Sequence, residues 1–251
     1  MVSLLEAVVL GAIQGITEWL PISSKSQSTL AAMRLFGVSP ENAFAFALFL
    51  HIGTMLAAVV FFRKEIVELL TKRKNEWPFY VLALIGTGIV GLPLYFAFRN
   101  AGFSVFWMTL VIGLFLIGSG VLQKLSKPAK PCNEMRPRNG FVLGLCQGLS
   151  ILPGVSRSGI TTSALLLQSF SPEEALRVSF LLSIPTVFFA EILVGLTNPV
   201  VFEANALIAV LVAFVVGLGS LFGFMAFAKR VSFANFAIGF GILYLLLAFL
   251  G

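Results

Sequence analysis

Two clusters of small polar and cationic residues interrupt apolar sequence, and each is a copy of the other. Leu20-Pro21-Ile22-Ser23-Ser24-Lys25-Ser26 returns as Leu152-Pro153-Gly154-Val155-Ser156-Arg157-Ser158. A helix that starts at such a cluster offers unpaired backbone N–H groups and a partial positive charge, both of which favour an anion. The first cluster adds the hydroxyls of Ser23, Ser24 and Ser26 and the ammonium of Lys25. The second adds Ser156, Ser158 and the guanidinium of Arg157. This set of groups suits an oxyanion, phosphate above all. Helix capping accounts for one Ser in each cluster. It does not account for Lys25 and Arg157 at matched positions.

An acid accompanies only the first cluster. Gln14 and Glu18 are four residues apart and share a helix face. The second copy is one residue shorter and reads Ser150-Ile151 where Glu18 would fall. A carboxylate beside a phosphate site is explained by a divalent cation, Mg2+ or Ca2+, held by Glu18 and Gln14 and shared with substrate phosphates. Direct pairing of Glu18 with Lys25 or Arg157 is the other explanation. His51, the one histidine of the chain, lies about 16 Å into its apolar run. It reads either as a buried packing residue or as a proton carrier. Thr161 and Thr162 follow the second cluster, where they face the site or bond back to their own helix.

The elements that must carry these groups follow from composition. Hydrophobic residues make up 58% of the 251 and charged residues 11%, with a mean hydropathy of +0.99. No water-soluble domain needs that much apolar surface, so the chain reads as an all-α polytopic membrane protein. Apolar runs predict six transmembrane helices, at about 40–62, 78–98, 104–122, 172–197, 204–228 and 233–250. Two further regions, roughly 3–38 and 140–170, are apolar but broken at the polar clusters. Each half reaches roughly the bilayer midplane and no further, which predicts two re-entrant helical hairpins. Three spans lie between them. An odd number turns one copy upside down relative to the other, so copies at about 1–122 and 140–251 form an inverted-topology repeat within one integral membrane domain.

Charge sets the orientation. Arg63, Lys64, Lys72, Arg73, Lys74, Lys124, Lys127, Lys130, Arg136, Arg138, Lys229 and Arg230 fall in the loops after the first, third and fifth spans, against Arg99 opposite. Those loops are expected in the cytoplasm and the C-terminus outside a cell membrane. The net charge of +6 resides in these loops, so it marks membrane topology and no nucleic-acid partner. Glu173 or Glu174 is expected to pair with Arg177 on a helix surface. Cys132 and Cys146 form no disulfide framework.

At these residues the chain resembles the undecaprenyl-diphosphatase family, the bacitracin-resistance membrane phosphatases, over essentially its whole length. Gln14-Gly15-Ile16-Thr17-Glu18 matches the family's (E/Q)xxxE motif, and Pro153-Gly154-Val155-Ser156-Arg157-Ser158-Gly159 matches PGxSRSG in full. The resemblance implies a metal-dependent hydrolase that removes the terminal phosphate of a polyprenyl diphosphate and so recycles a lipid carrier for envelope glycans. It implies Ser24 as nucleophile, Glu18 as metal-linked carboxylate and Arg157 as phosphate clamp. Gln14, Ser23, Lys25, Ser26, Gln27, Ser156, Ser158, Gly159 and Thr161 are the expected substrate contacts, with membrane lipids around them and an oligomer possible.

One position departs from the family pattern. Thr-Gly-His usually follows the Ser pair, and here Lys25-Ser26-Gln27 does. Gln27 cannot take up a proton at any useful pH. Catalysis then runs through a metal-activated water, or through His51 from the neighbouring span, or is lost in favour of lipid binding. Hydrolysis is the first reading. A polyprenyl-phosphate translocase is the second, because inverted repeats around a midplane site also serve alternating access.

Overall fold

A computed structural model describes residues 3–99, 104–126, 134–197, 204–227 and 233–250. Among these residues every long element is a helix. In chain order they are α1 (Leu4–Thr17), α2 (Ser24–Phe36), α3 (Pro40–Phe49), α4 (His51–Phe61), α5 (Arg63–Thr71), α6 (Trp77–Arg99), α7 (Val105–Leu125), α8 (Pro137–Gly148), α9 (Arg157–Leu167), α10 (Pro172–Thr197), α11 (Ala204–Phe227) and α12 (Phe233–Leu250). The basic positions Lys127, Lys130, Lys229 and Arg230 and the thiol Cys132 lie outside the described residues.

Among the described residues, five helices are long and apolar enough to cross a membrane: Pro40–Phe61, Lys74–Phe98, Val105–Leu125, Pro172–Leu193 and Ala204–Met225. The chain is therefore a multi-pass membrane protein. The run expected as a sixth span is an apolar helix over Ala234–Leu250 that falls short of that length. The first span is continuous through Leu50. There the Gly53 N–H reaches Leu50 O three residues back, so the helix tightens without ending. Pro40 and Pro172 each occupy the first helical position after a serine, where a missing N–H has no cost.

Both polar clusters are breaks between short helices. α1 gives way to α2 across residues 18–23, and α8 to α9 across 149–156. Each break turns through a residue with positive φ: Ser23 at 62° in the first and Gly154 at 91° in the second. Glycine adopts that conformation freely. Serine does so only where surrounding contacts over-determine it.

The short helices are held by small residues that let backbones approach closely. Gly11 and Gly15 of α1 lie against the α11 backbone at Ala209 and Gly217. Their counterparts in the second copy, Gly144 and Gly148 of α8, lie with Gly140 against the α6 backbone at Phe79, Ala83 and Thr87. Each broken element thus leans on a long helix of the opposite copy. α7 and α12 meet in the same manner through Gly113, Gly120 and Gly241. Trp19, fully buried, donates its indole N–H to Gly217 O at 2.8 Å and meets the Phe180 ring edge-on. That anchor fixes the chain next to Glu18.

Gly144→Leu tests this scaffold. A side chain at Gly144 would collide with the Ala83 carbonyl, while one at Gly118 would meet nothing within 4 Å. Overpacking of this kind costs about 1–3 kcal/mol or more. Gly144→Leu should lower the melting temperature of detergent-purified protein by several degrees or abolish its recovery, and Gly118→Ala should leave it unchanged.

Candidate active site

The two breaks meet, and Glu18 is where they meet. Its carboxylate is almost wholly buried, takes hydrogen bonds from three elements and is approached by a fourth. Arg157 Nη2 of α9 donates to Oε1 at 2.5 Å. On Oε2 converge the Ser24 hydroxyl of α2 at 2.6 Å and the Gln14 amide of α1 at 2.9 Å. His51 Nε2 of α4 stands 3.4 Å from the same oxygen. The other ring nitrogen of His51, Nδ1, lies 2.8 Å from Ala47 O. A carbonyl only accepts, so the Nδ1 proton is committed there and Nε2 is left facing Glu18. A second contact of Arg157, from Nη1 to Ser179 O at 3.4 Å, ties it to α10.

Three more bonds lock one break to the other. Lys25 Nζ donates to Ser150 O at 2.5 Å and Ile151 O at 2.7 Å, the open carbonyls at the end of α8. Its ammonium also lies 5.6 Å from the Phe44 ring centroid. The Gly154 N–H donates to Ser26 Oγ at 2.6 Å, and Ser26 shares a hydrogen bond with Ser23. That contact holds Ser23 in its left-handed conformation.

Beside Glu18 lies a cavity of about 300 Å³. Glu18, Ser23, Ser24, Lys25, His51 and Arg157 form its polar end, together with Ser156 and Ser158. Leu84, Gly88 and Leu92 of α6 and Val187, Ala190 and Leu193 of α10 form an apolar wall. A charged head and an apolar tail would find matching surroundings there.

Not every expected contact faces this cavity. Glu18, Ser24, His51 and Arg157 come together, with Gln14 behind Glu18. Ser26, Gln27, Gly159 and Thr161 do not line it. Gln27 donates to Ile22 O at 3.0 Å and accepts from the Tyr244 hydroxyl of α12. Thr161 bonds Arg157 O and the Ser179 hydroxyl, holding α9 to α10. Ser156 caps α9 through the Gly159 N–H. Glu174 is the residue seen paired with Arg177. Sequence reading missed Glu191 and Gln147 on the cavity wall. Glu191 had a signal, being a lone acid inside an apolar span. It stands about 18 Å along α10 from Ser179, toward the far end of the apolar wall.

The fit of a divalent cation can be judged from the donors. The described residues contain no group of three metal-ligating His, Cys, Asp or Glu side chains. Glu18 and Gln14 supply one carboxylate and one amide. The carboxylate fits a hard cation whose remaining ligands are phosphate oxygens and water, while the Gln14 oxygen, expected beside it, accepts from Ser28 and does not line the cavity.

These features define a class: multi-pass membrane proteins with a polar site buried between two broken, mutually interlocked helix pairs. Residues 7–245 match the model of the family described as bacitracin resistance protein BacA, and the chain belongs to that family. A relative named undecaprenyl-diphosphatase from Methanococcoides burtonii is 41% identical over 265 residues, covering both chains completely. One of the same name from Methanothrix thermoacetophila is 40% identical across 97% of this chain and 96% of its own. Another from Haloarcula marismortui is 36% identical across 95% and 94%.

The Glu18–Arg157 contact predicts a separation of stability from activity. Removing one partner of a buried pair costs about 3–5 kcal/mol because the other charge is left unmatched. Arg157→Ala should therefore melt well below wild type. Glu18→Gln combined with Arg157→Ala should recover much of that loss in a thermal melt and remain inactive.

Proposed function

We propose that the protein hydrolyses a polyprenyl diphosphate of the undecaprenyl type to the monophosphate and orthophosphate, recycling a lipid carrier. Membership of the BacA family and the name shared by its relatives support the activity. The observation that carries it to particular residues is the Ser24 hydroxyl donating to the buried Glu18 carboxylate at 2.6 Å. A nucleophile and a base in hydrogen-bond contact is the arrangement that activates a hydroxyl.

In the proposed reaction Ser24 Oγ attacks the terminal phosphorus and its proton passes to Glu18. The bond from that phosphorus to the bridging oxygen breaks, and the polyprenyl monophosphate leaves. Water then attacks the phosphoserine, orthophosphate departs, and Ser24 regains a proton. His51 Nε2, beside the same Glu18 oxygen, relays the proton in place of the family histidine. Arg157 turns its guanidinium to the phosphate oxygens as charge develops there. A divalent cation, Mg2+ or Ca2+, belongs to the proposal as counter-ion of the diphosphate. Glu18 would hold it, with Gln14 steadying that carboxylate, and it would neutralise phosphate charge.

The finer architecture is part of the same reading: one membrane domain over 1–251, six spans and two re-entrant hairpins. The exchange of partners supports an inverted repeat, since α1 packs on α11 and its counterpart α8 packs on α6, the counterpart of α11. Loop charge supports cytoplasmic basic loops and a C-terminus outside. An oligomer is compatible with this reading.

Purified protein in detergent should release phosphate from a prenyl diphosphate. Ser24→Ala and Glu18→Gln should each reduce the rate at least about 10²-fold, and His51→Gln by a similar factor if it relays the proton. Chelation of divalent cations should stop turnover. A protein that releases no phosphate with metal present would leave the translocase reading in its place.

Orientation is tested separately. A thiol reagent that cannot cross membranes should label Cys132 only after cells are opened. Labelling of intact cells would reverse the proposed topology.

A further inference from the structure

Gln147 is the counterpart of Gln14 in the second copy, yet its surroundings differ. Gln14 is fully engaged: its amide donates to Glu18, and its oxygen accepts from Ser28. Gln147 is 0% exposed, lines the cavity, and has one atom unmatched. Its Nε2 donates to Thr87 Oγ1 and to Thr186 Oγ1, both at 2.9 Å. Each threonine hydroxyl has a single proton, already given to its own helix at Ala83 O and Leu182 O. The threonines can therefore only accept from Gln147, which fixes the amide orientation. The carbonyl oxygen Oε1 is left buried with no hydrogen-bond partner among the described residues. Such an acceptor calls for a ligand that brings a proton.

A cation and a hydroxyl stand next to it. Ser150 is three residues beyond Gln147, on the same turn, and lines the same cavity. The Ser150 carbonyl holds the Lys25 ammonium, which lines the cavity as well. A positive charge, a hydroxyl and an acceptor that demands a proton describe an anion carrying its own O–H. Phosphate in its protonated forms has that chemistry, and sulfate, fully ionised near neutrality, lacks it.

We infer that Gln147, Ser150 and Lys25 form a second phosphate subsite on the cavity wall, which shares Lys25 with the polar end, extends from it to Gln147, and receives a phosphate bearing a P–OH group. The inference rests on the hydrolytic reading for its ligand, since hydrolysis generates two such phosphates. One is free orthophosphate and the other is the headgroup of the lipid monophosphate. Thr186 lies seven residues beyond Ser179, the α10 contact of Arg157. That places the Gln147 acceptor about 10 Å along the helix from the guanidinium.

Equilibrium binding of radiolabelled orthophosphate to the purified full chain in detergent tests this without turnover, so it stands even if hydrolysis fails. Wild type should hold a fraction that excess sulfate does not displace. Gln147→Leu and, more mildly, Ser150→Ala should weaken that fraction, by about tenfold for the loss of one good hydrogen bond. Two variants guard against one misfolding. The sources separate by competition with a short-chain prenyl monophosphate. Its second ionisation lies near pH 6, so it keeps a P–OH only on the acid side, whereas orthophosphate keeps one on both. Displacement at about pH 5.5 but not at about pH 7.5 assigns the subsite to either phosphate when protonated. Failure to displace at both assigns it to free orthophosphate alone. Absence of a sulfate-resistant fraction in wild type, or its persistence at full strength in both variants, would overturn the subsite.

Discussion

The fold depends on making one buried carboxylate tolerable. Glu18 sits among apolar helices, where an unmatched charge costs several kcal/mol. Arg157, Ser24 and Gln14 compensate it from three elements, and His51 borders it from a fourth. Two of those elements begin at the polar breaks, so satisfying Glu18 brings the breaks together. Lys25 on the α8 carbonyls and Gly154 on Ser26 then complete the joint. The same contacts that neutralise the charge hold the Ser24 hydroxyl against the Glu18 carboxylate, the arrangement on which the proposed reaction draws.

The site is single although the sequence is double. The copies diverged at a few positions, and each divergence has a physical consequence. The second copy has Ser150-Ile151 where Glu18 would fall, so there is one carboxylate for two matched cations, and only one of them reaches it. Arg157 bonds that carboxylate, while Lys25, its counterpart, turns to the open end of α8. A guanidinium suits the planar acid; a compact ammonium suits two adjacent carbonyls. Gln14 is satisfied by the acid that Gln147 lacks. The scaffold kept its symmetry through the glycines of α1 and α8, while the polar positions specialised.

The departure at Gln27 is explained by its neighbours. Its amide bridges Ile22 O and the Tyr244 hydroxyl, away from the cavity, and steadies the turn that precedes Ser24. An imidazole nevertheless reaches Glu18 from α4, because the tightened helix at Leu50 brings His51 to the level of the breaks. In the proposed reaction, the proton-carrying group is thus supplied from a different element of the chain.

Much of this was legible in the sequence. Apolar runs located the long helices because the membrane demands about 20 apolar residues per span. The repeated Pro and Ser clusters located the breaks, and the Gln14–Glu18 spacing placed an amide beside an acid on one face. The sequence left open whether Glu18 meets a metal or Arg157, since both satisfy a buried charge. Only the tertiary structure decided that Arg157 reaches it, that Lys25 is spent on the carbonyls of α8, and that Gln27 and Thr161 face other helices. It also decided that Gln147 is left with an acceptor to fill. The reason is that periodicity fixes which face of a helix a residue occupies. What that face meets depends on how helices from the two copies interlock, and glycine contacts far apart in the chain set that packing.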